Sequence, residues 1–184
     1  MTLHESEHWD KGDRTAHFYT ERLEDAQEQK ERDEELKKLL NPGEMPWEIC
    51  PQGKIKHLVN SKLDTRIKTV DVYMQEIPPG SRSGKHRHMA EEYIYVLDGR
   101  GYDLHWDVDM EVTNRYVWKP QEAPSRWEWK KGDAVIIPVN TIHQHFNADQ
   151  EKPARFISAV SRLYDAVWGN DLEQLEEAPE YHER

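Results

Sequence analysis

Apolar and polar residues alternate over 66–77, with Val70, Val72 and Met74 on one face and Thr69, Asp71, Tyr73 and Gln75 on the other. A period of two belongs to an extended strand, whose successive side chains point to opposite sides. The pattern does not say which face looks inward. The alternation returns at 102–107, where Tyr102, Leu104 and Trp106 oppose Asp103 and His105. Shorter runs at 54–60, 125–129, 134–137 and 155–160 read as further strands. Residues 20–40 read instead as a helix that stops at Asn41-Pro42-Gly43, with Glu28/Arg32 and Glu34/Lys38 spaced for i,i+4 pairing. Between Leu23 and Leu36 only Ala26 is apolar, so the middle of this helix should be solvated. Its two ends should dock on the rest of the chain or on a second subunit. A short helical pattern follows Leu163 and gives way to an acidic tail.

The chain of 184 residues carries a net charge of −11, unevenly spread. Residues 1–40 hold 12 acidic and 7 basic side chains, and residues 165–184 hold 7 and 1. Residues 41–164 hold 17 of each, so the acidity belongs to the ends. Acidic ends argue against nucleic acid or an anionic membrane surface as partner. The longest apolar run, 134–137, is far too short to span a membrane. The first residues have no basic start and no apolar stretch, so no signal peptide is expected. Cys50 is the sole cysteine, which rules out an intrachain disulfide and suits a reducing cytoplasm. Its position suggests a structural residue. These features define three expected segments: a helical arm over 1–45, a β domain over 46–164 and an acidic tail over 165–184.

The chemistry concentrates between Gly80 and Gly101. His86 and His88 lie one residue apart, so on an extended segment both rings point the same way. Glu92 follows after a three-residue detour and can close on the same point. Imidazole and carboxylate together suit a divalent transition metal: iron, manganese, nickel or zinc. Gly99-Arg100-Gly101 reads as a tight turn. A second stretch has its own turn glycine, Gly132, then Pro138, His143, His145 and Asn147.

The two stretches resemble the paired motifs of the cupin superfamily. Gly80, His86, His88, Glu92 and Gly99 fall in register with the first motif, and Gly132, Pro138, His143 and Asn147 with the second. Asn140 stands where the second motif has a glycine, a mild departure because Asn tolerates a left-handed turn. The resemblance implies an all-β fold: a double-stranded β-helix (jelly-roll) barrel with an N-terminal α-helical extension and a short C-terminal helix. It implies His86, His88, Glu92 and His143 as metal ligands, with Fe(II) foremost and Mn(II), Ni(II) or Zn(II) as alternatives. No repeat duplicates the motif pair, so a single barrel is expected, and small cupins of this kind commonly form homodimers or larger homo-oligomers.

Three His and one Glu leave metal positions open, the mark of a catalytic rather than a structural site. The leading expectation is a dioxygenase acting on a small phenolic or dicarbonyl molecule and O₂. The alternatives are a redox-neutral metal-dependent isomerase, lyase or hydrolase, and a non-catalytic small-molecule-binding cupin. His145, two residues after His143, faces the same side of a continuous strand. It reads either as a general acid/base beside the metal or as a residue behind the ligands or on the rim. Tyr73, Gln75, His105 and Trp106 are the pocket candidates. Among the seven tryptophans, Trp9, Trp47, Trp118, Trp127, Trp129 and Trp168 default to packing. The excursion at 107–126 reads as an insertion near the site, and a lid is one reading of it. His4, His8, His17, His57 and His182 lie outside the motif register and read as surface residues.

Overall fold

A computed structural model of the chain describes residues 16–169 and 172–182. Trp9, His4 and His8 fall outside them, as does the side chain of Trp168. The contacts divide the chain into 1–36 and 37–184. The first unit contributes helix α1 (Phe18–Glu35), which buries none of its residues. It ends earlier than the sequence suggests: Leu36 is already extended, with φ −69° and ψ 145°, and Lys37 bridges to Thr65. Along α1, Arg32 Nη1 reaches Glu28 Oε2 at 3.4 Å, as the spacing requires.

The second unit is built from β1 (Trp47–Cys50), β2 (Gly53–Val59), β3 (Val70–Ile77), β4 (Lys85–Arg87), β5 (Glu92–Asp98), β6 (Arg100–Trp106) and β7 (Val108–Val112). It continues with β8 (Tyr116–Pro120), β9 (Ser125–Lys130), β10 (Ala134–Ile137), β11 (Ile142–Asn147), β12 (Ala154–Ser161), helix α2 (Leu163–Trp168) and β13 (Glu173–Glu176). One sheet has the order β1-β2-β3-β12-β5-β10 and the other β13-β4-β11-β6-β9. All pairings within the two sheets are antiparallel, and the non-sequential order is that of a jelly roll. Within the excursion at 107–126, residues 108–120 form a separate two-stranded hairpin, β7 with β8. No helix of the described residues is long and apolar enough to cross a membrane.

The inner faces hold two apolar clusters. Ile77, Ile94, Val96, Val135, Ile137 and Phe156 pack with Trp129 in one, and Ile55, Tyr73, Ala90 and Val160 form the other. Each large aliphatic side chain so buried contributes roughly 1.5–3 kcal/mol. The face of β3 that carries Tyr73 and Gln75 is the inward one. On β6 the inward face is Gly101, Asp103 and His105, so this strand points its polar set into the barrel.

Two turns show why particular residues stand where they do. Gly99, at φ +89°, lies so near Ala154 that an added Cβ would meet its Cα at 2.8 Å. Asn140 takes φ +61°, the left-handed conformation its substitution for glycine requires, and its N–H donates to His88 O at 3.0 Å. The tail is more than a tail: β13 joins the five-stranded sheet beside β4, and Ala178 is buried with its N–H on Pro51 O at 2.8 Å. Edge pairing was invisible in a segment of this polarity, because an edge strand needs little apolar patterning.

Candidate metal centre

Both sheets contribute to one point. His86 on β4 is register-paired with His143 on β11, while Glu92 opens β5 in the opposite sheet. His88 lies in the bend between β4 and β5. Their ligand-type atoms all lie within 4.8 Å of one another, and all four residues are buried.

Hydrogen bonds set the two fixed tautomers. His88 Nδ1 donates to Ala90 O at 2.8 Å, and His143 Nδ1 donates to Thr141 O at 2.9 Å. Their Nε2 atoms face Glu92 Oε2 at 3.0 and 3.3 Å, each able to turn a lone pair to an ion or, once protonated, to donate to the carboxylate. Among the described residues neither ring nitrogen of His86 has a hydrogen-bond partner, although the ring is buried. A buried imidazole with two idle nitrogens is a costly arrangement unless something accepts the lone pair. Burial, aided by neighbouring His143, pushes the His86 pKa well below the usual imidazole range and keeps the ring neutral. A metal fits this donor set: three neutral-capable imidazoles and one carboxylate.

Glu92 is held from behind. Tyr73 Oη donates to Glu92 Oε1 at 3.0 Å, and Ser158 Oγ donates to the same oxygen. Burial disfavours the Glu92 charge, yet the contacts from His143 and His88 outweigh it and hold the carboxyl well below its usual range. Burial, and then the Glu92 charge, push the Tyr73 phenol well above its ordinary value, so it stays a donor.

A cavity of about 310 Å³ opens against His86 and His88. Ile55, Val72, Val160 and Leu172 form its apolar walls, and Tyr73, Gln52, Gln174 and Arg162 its polar ones. Cys50, read from sequence as structural, lines it too, and burial pushes its thiol pKa up.

Of the pocket candidates, only Tyr73 lines this cavity. Gln75 is buried, but its Nε2 is spent on Gln52 O at 2.6 Å. His105 lies behind, with its Nε2 3.6 Å from Asp103 Oδ2 and its ring against Trp127. Trp106 points to the other side of β6, where Lys85 Nζ sits 4.0 Å above its ring. Strand alternation separates the last two: His105 and Trp106 are neighbours, so one points inward and the other out. His145 does share a side with His143, their ring centroids 5.5 Å apart, but it is sealed between that ring and Phe156 and does not line the cavity. Its Nδ1 lies 2.9 Å from Asp103 Oδ1, an oxygen that also accepts from Trp129 Nε1 at 2.7 Å.

Sequence reasoning missed Asp103, Ser158, Arg162 and the whole of β13. Asp103 had a signal, a charged residue alternating with His105 on one strand face. Ser158 and Arg162 had none, since their roles depend on which strands the fold brings beside β5 and β3.

Residues 73–160 match the family model described as Cupin domain. Among curated proteins the chain is 28% identical over 123 residues to auxin-binding protein T85 of Nicotiana tabacum, covering 66% of this chain and 62% of that protein. It is 33% identical over 95 residues to auxin-binding protein 4 of Zea mays, covering 52% and 43%. The chain thus spans about half the length of these relatives. Among solved structures, oxalate decarboxylase of Lactobacillus farciminis superposes with a TM-score of 0.55 at 19% identity, covering 75% of this chain and 39% of that one. Vicilin of Corylus avellana superposes with a TM-score of 0.53 at 16% identity, covering 74% and 36%. At such identities the likeness is one of fold.

Proposed function

We propose that this chain, a member of the cupin superfamily, is a metal-dependent oxidoreductase, a dioxygenase acting on a small phenolic or dicarbonyl compound. His86, His88, Glu92 and His143 would hold the metal, Fe(II) foremost, with Mn(II), Ni(II) and Zn(II) compatible with the same donors. A divalent iron in that set supplies the redox and Lewis-acid chemistry needed to bring an oxygenated organic molecule and O₂ together.

One observation carries the reading: the ligand cluster faces an accessible cavity whose other ionisable side chains are already engaged. Tyr73 donates to Glu92, Arg162 Nε binds Asp71 Oδ2 at 2.9 Å, and His57 Nε2 meets Glu48 Oε2 at 2.6 Å. The chemistry therefore falls to the metal, while the protein's groups orient and exclude water. Tyr73 and Ser158 fix the carboxylate, the carbonyls of Ala90 and Thr141 fix two imidazoles, and the apolar walls keep the bound molecule dry. A redox-neutral isomerase or lyase needs a positioned proton carrier. The candidate for that task, His145, lies off the cavity.

The test is oxygen uptake by Fe(II)-loaded protein against a panel of phenols and 1,3-dicarbonyls, with anaerobic and His86→Ala controls. Uptake that needs both O₂ and His86 supports the reading, and turnover unaffected by removing O₂ sinks it. A second reading, a small-molecule-binding cupin without turnover, is favoured by the tobacco and maize relatives named for auxin binding. It predicts saturable binding with no oxygen uptake. The working unit in either case is proposed to be a homodimer. Helix α1 buries nothing and exposes Phe18, Tyr19 and Leu23, so deleting residues 1–45 should lower the mass seen by light scattering.

A further inference from the structure

The ionisable groups at the cavity mouth limit what charge a ligand can bring. Glu48 and Asp71 line the cavity, and Asp165 lies 3.7 Å from Arg162 Nη1 just beyond it. Against these three carboxylates stands one guanidinium, Arg162, which Asp71 grips at 2.9 Å. The one mouth imidazole, His57, is held by Glu48. Among the described residues no lysine lines the cavity. Among the described residues, an anionic group entering beyond the metal would find no cavity-lining cation without a carboxylate partner, and would stand beside Asp71 and Glu48. These groups are only partly exposed, with Asp71 at 30% and Arg162 at 24% side-chain accessibility, so water screens them incompletely.

The cavity does offer neutral recognition. Gln52 Oε1 faces Tyr73 Oη at 3.5 Å, while among the described residues no hydrogen bond takes Gln52 Nε2. Gln174 spends its Nε2 on Glu176 O at 2.7 Å and Lys85 O at 3.3 Å, leaving its Oε1 as an acceptor. Gln174 sits on β13 in register with His86 and lines the cavity. One free amide donor and one free amide acceptor match an uncharged polar group such as an amide or hydroxyl, not a carboxylate, which only accepts.

We propose that the site selects organic molecules that carry no charged group beyond their metal-binding head, with Gln52 and Gln174 reading a neutral donor–acceptor group and the Asp71–Arg162 pair excluding a carboxylate. The inference rests on the metal-centre reading but not on any turnover. It resolves a point of substrate class that the ligand set leaves open, because the metal holds the head of the molecule and these four side chains line the cavity around the rest of it.

The experiment compares 3,4-dihydroxybenzamide with 3,4-dihydroxybenzoate on Zn(II)-loaded full-length protein by titration calorimetry. The two share a metal-binding head and differ only at the distal group, and Zn(II) removes oxygen chemistry from the readout. The benzamide should bind at least about tenfold more tightly, since like-charge juxtaposition disfavours the other partner. Asp71→Asn removes one carboxylate from the cavity wall and leaves the Arg162 guanidinium to Asp165 alone, which should shrink or erase that preference. Gln174→Leu should weaken the benzamide and leave the benzoate nearly unchanged, a second variant on a different element. Benzoate binding as tightly as benzamide would overturn the proposal, as would an Asp71→Asn protein with an unchanged ratio or a native protein that binds neither compound. His86→Ala should abolish both bindings. Preference for the benzoate together with Fe(II)-dependent oxygen uptake would sink the selectivity and spare the proposed activity. The reverse pair of results would do the opposite.

Discussion

Asp103 Oδ1 lies 2.9 Å from Nδ1 of His145, and both side chains are buried from solvent in the barrel interior. The carboxylate also accepts from Trp129, so one β6 side chain ties β11 to β9 across its own strand. Burial opposes the Asp103 charge, but His145 and His105 overcome it and hold the carboxyl below its usual range. The same carboxylate raises His145 against the effect of burial. Removing one member of such a pair strands the other. Asp103→Leu should cost about 3–5 kcal/mol, a melting-point fall on the order of 10 °C for a chain of this size. A variant that melts with the parent would show that the pair contributes nothing.

The same geometry separates His143 from His145. His143→Ala removes one of four ligand positions, so bound metal should be lost with activity. His145→Asn leaves a donor for Asp103 and does not touch the cavity. Metal content should stay near the parent's, and turnover should fall by less than the 10²–10⁴-fold typical of a lost acid or base. Metal analysis of the two purified variants decides it. Equal loss of metal in both would put His145 among the ligands.

Tyr73→Phe deletes the phenol that donates to Glu92 Oε1 and leaves the ring in its apolar cluster. Supporting groups of this kind are worth about 10–100-fold in metal affinity. Competition with a chromogenic chelator should show that loss with little change in the apo-protein's melting temperature. Unchanged affinity would mean that Ser158 alone holds the carboxylate.

Metal should stabilise the fold itself, because the idle nitrogens of His86 and His143 gain a partner only when an ion is bound. At an ion concentration 1,000 times the dissociation constant the gain is about 4 kcal/mol. Calorimetric scans with saturating Zn(II) and with a chelator should differ accordingly, and in His86→Ala the difference should vanish.

Two glycines should respond differently to alanine. At Gly101 an added Cβ would meet Phe146 O at 2.0 Å and Trp129 Cη2 at 2.4 Å, whereas at Gly132 nothing lies within 4 Å. Gly132→Ala should cost only the left-handed strain of its φ of +88°, about 1–2 kcal/mol. Gly101→Ala should cost at least 3 kcal/mol, at or above the usual upper range for overpacking. Urea denaturation of the pair ranks them, and equal midpoints would contradict the close approach of β6 to β11.

Much of the barrel could be read from periodicity. A period of two announces a strand whatever it pairs with, so the strands at 54–60, 66–77 and 155–160 appear within a few residues of their expected bounds. The four ligand-type residues were legible because a metal needs particular donor types at particular spacings, and His-x-His with a following Glu is such a spacing. Asn140 was legible as a left-handed turn for a local steric reason, and its φ of +61° agrees.

What the sequence determined by itself was therefore local: strand periodicity, turn chemistry and the donor set of His86, His88, Glu92 and His143. The tertiary structure decided which face of each strand became the interior and which strands became neighbours. Polar residues inside β6 reversed the usual inference from polarity, because Asp103 meets His145 and Trp129 only once β11 and β9 are paired with β6. The same pairing carried His145 behind the cavity and Trp106 outside it, while β13 brought Gln174 across from His86. These placements depend on contacts between residues tens of positions apart, which one-dimensional spacing does not encode and which only the closed barrel brings into register.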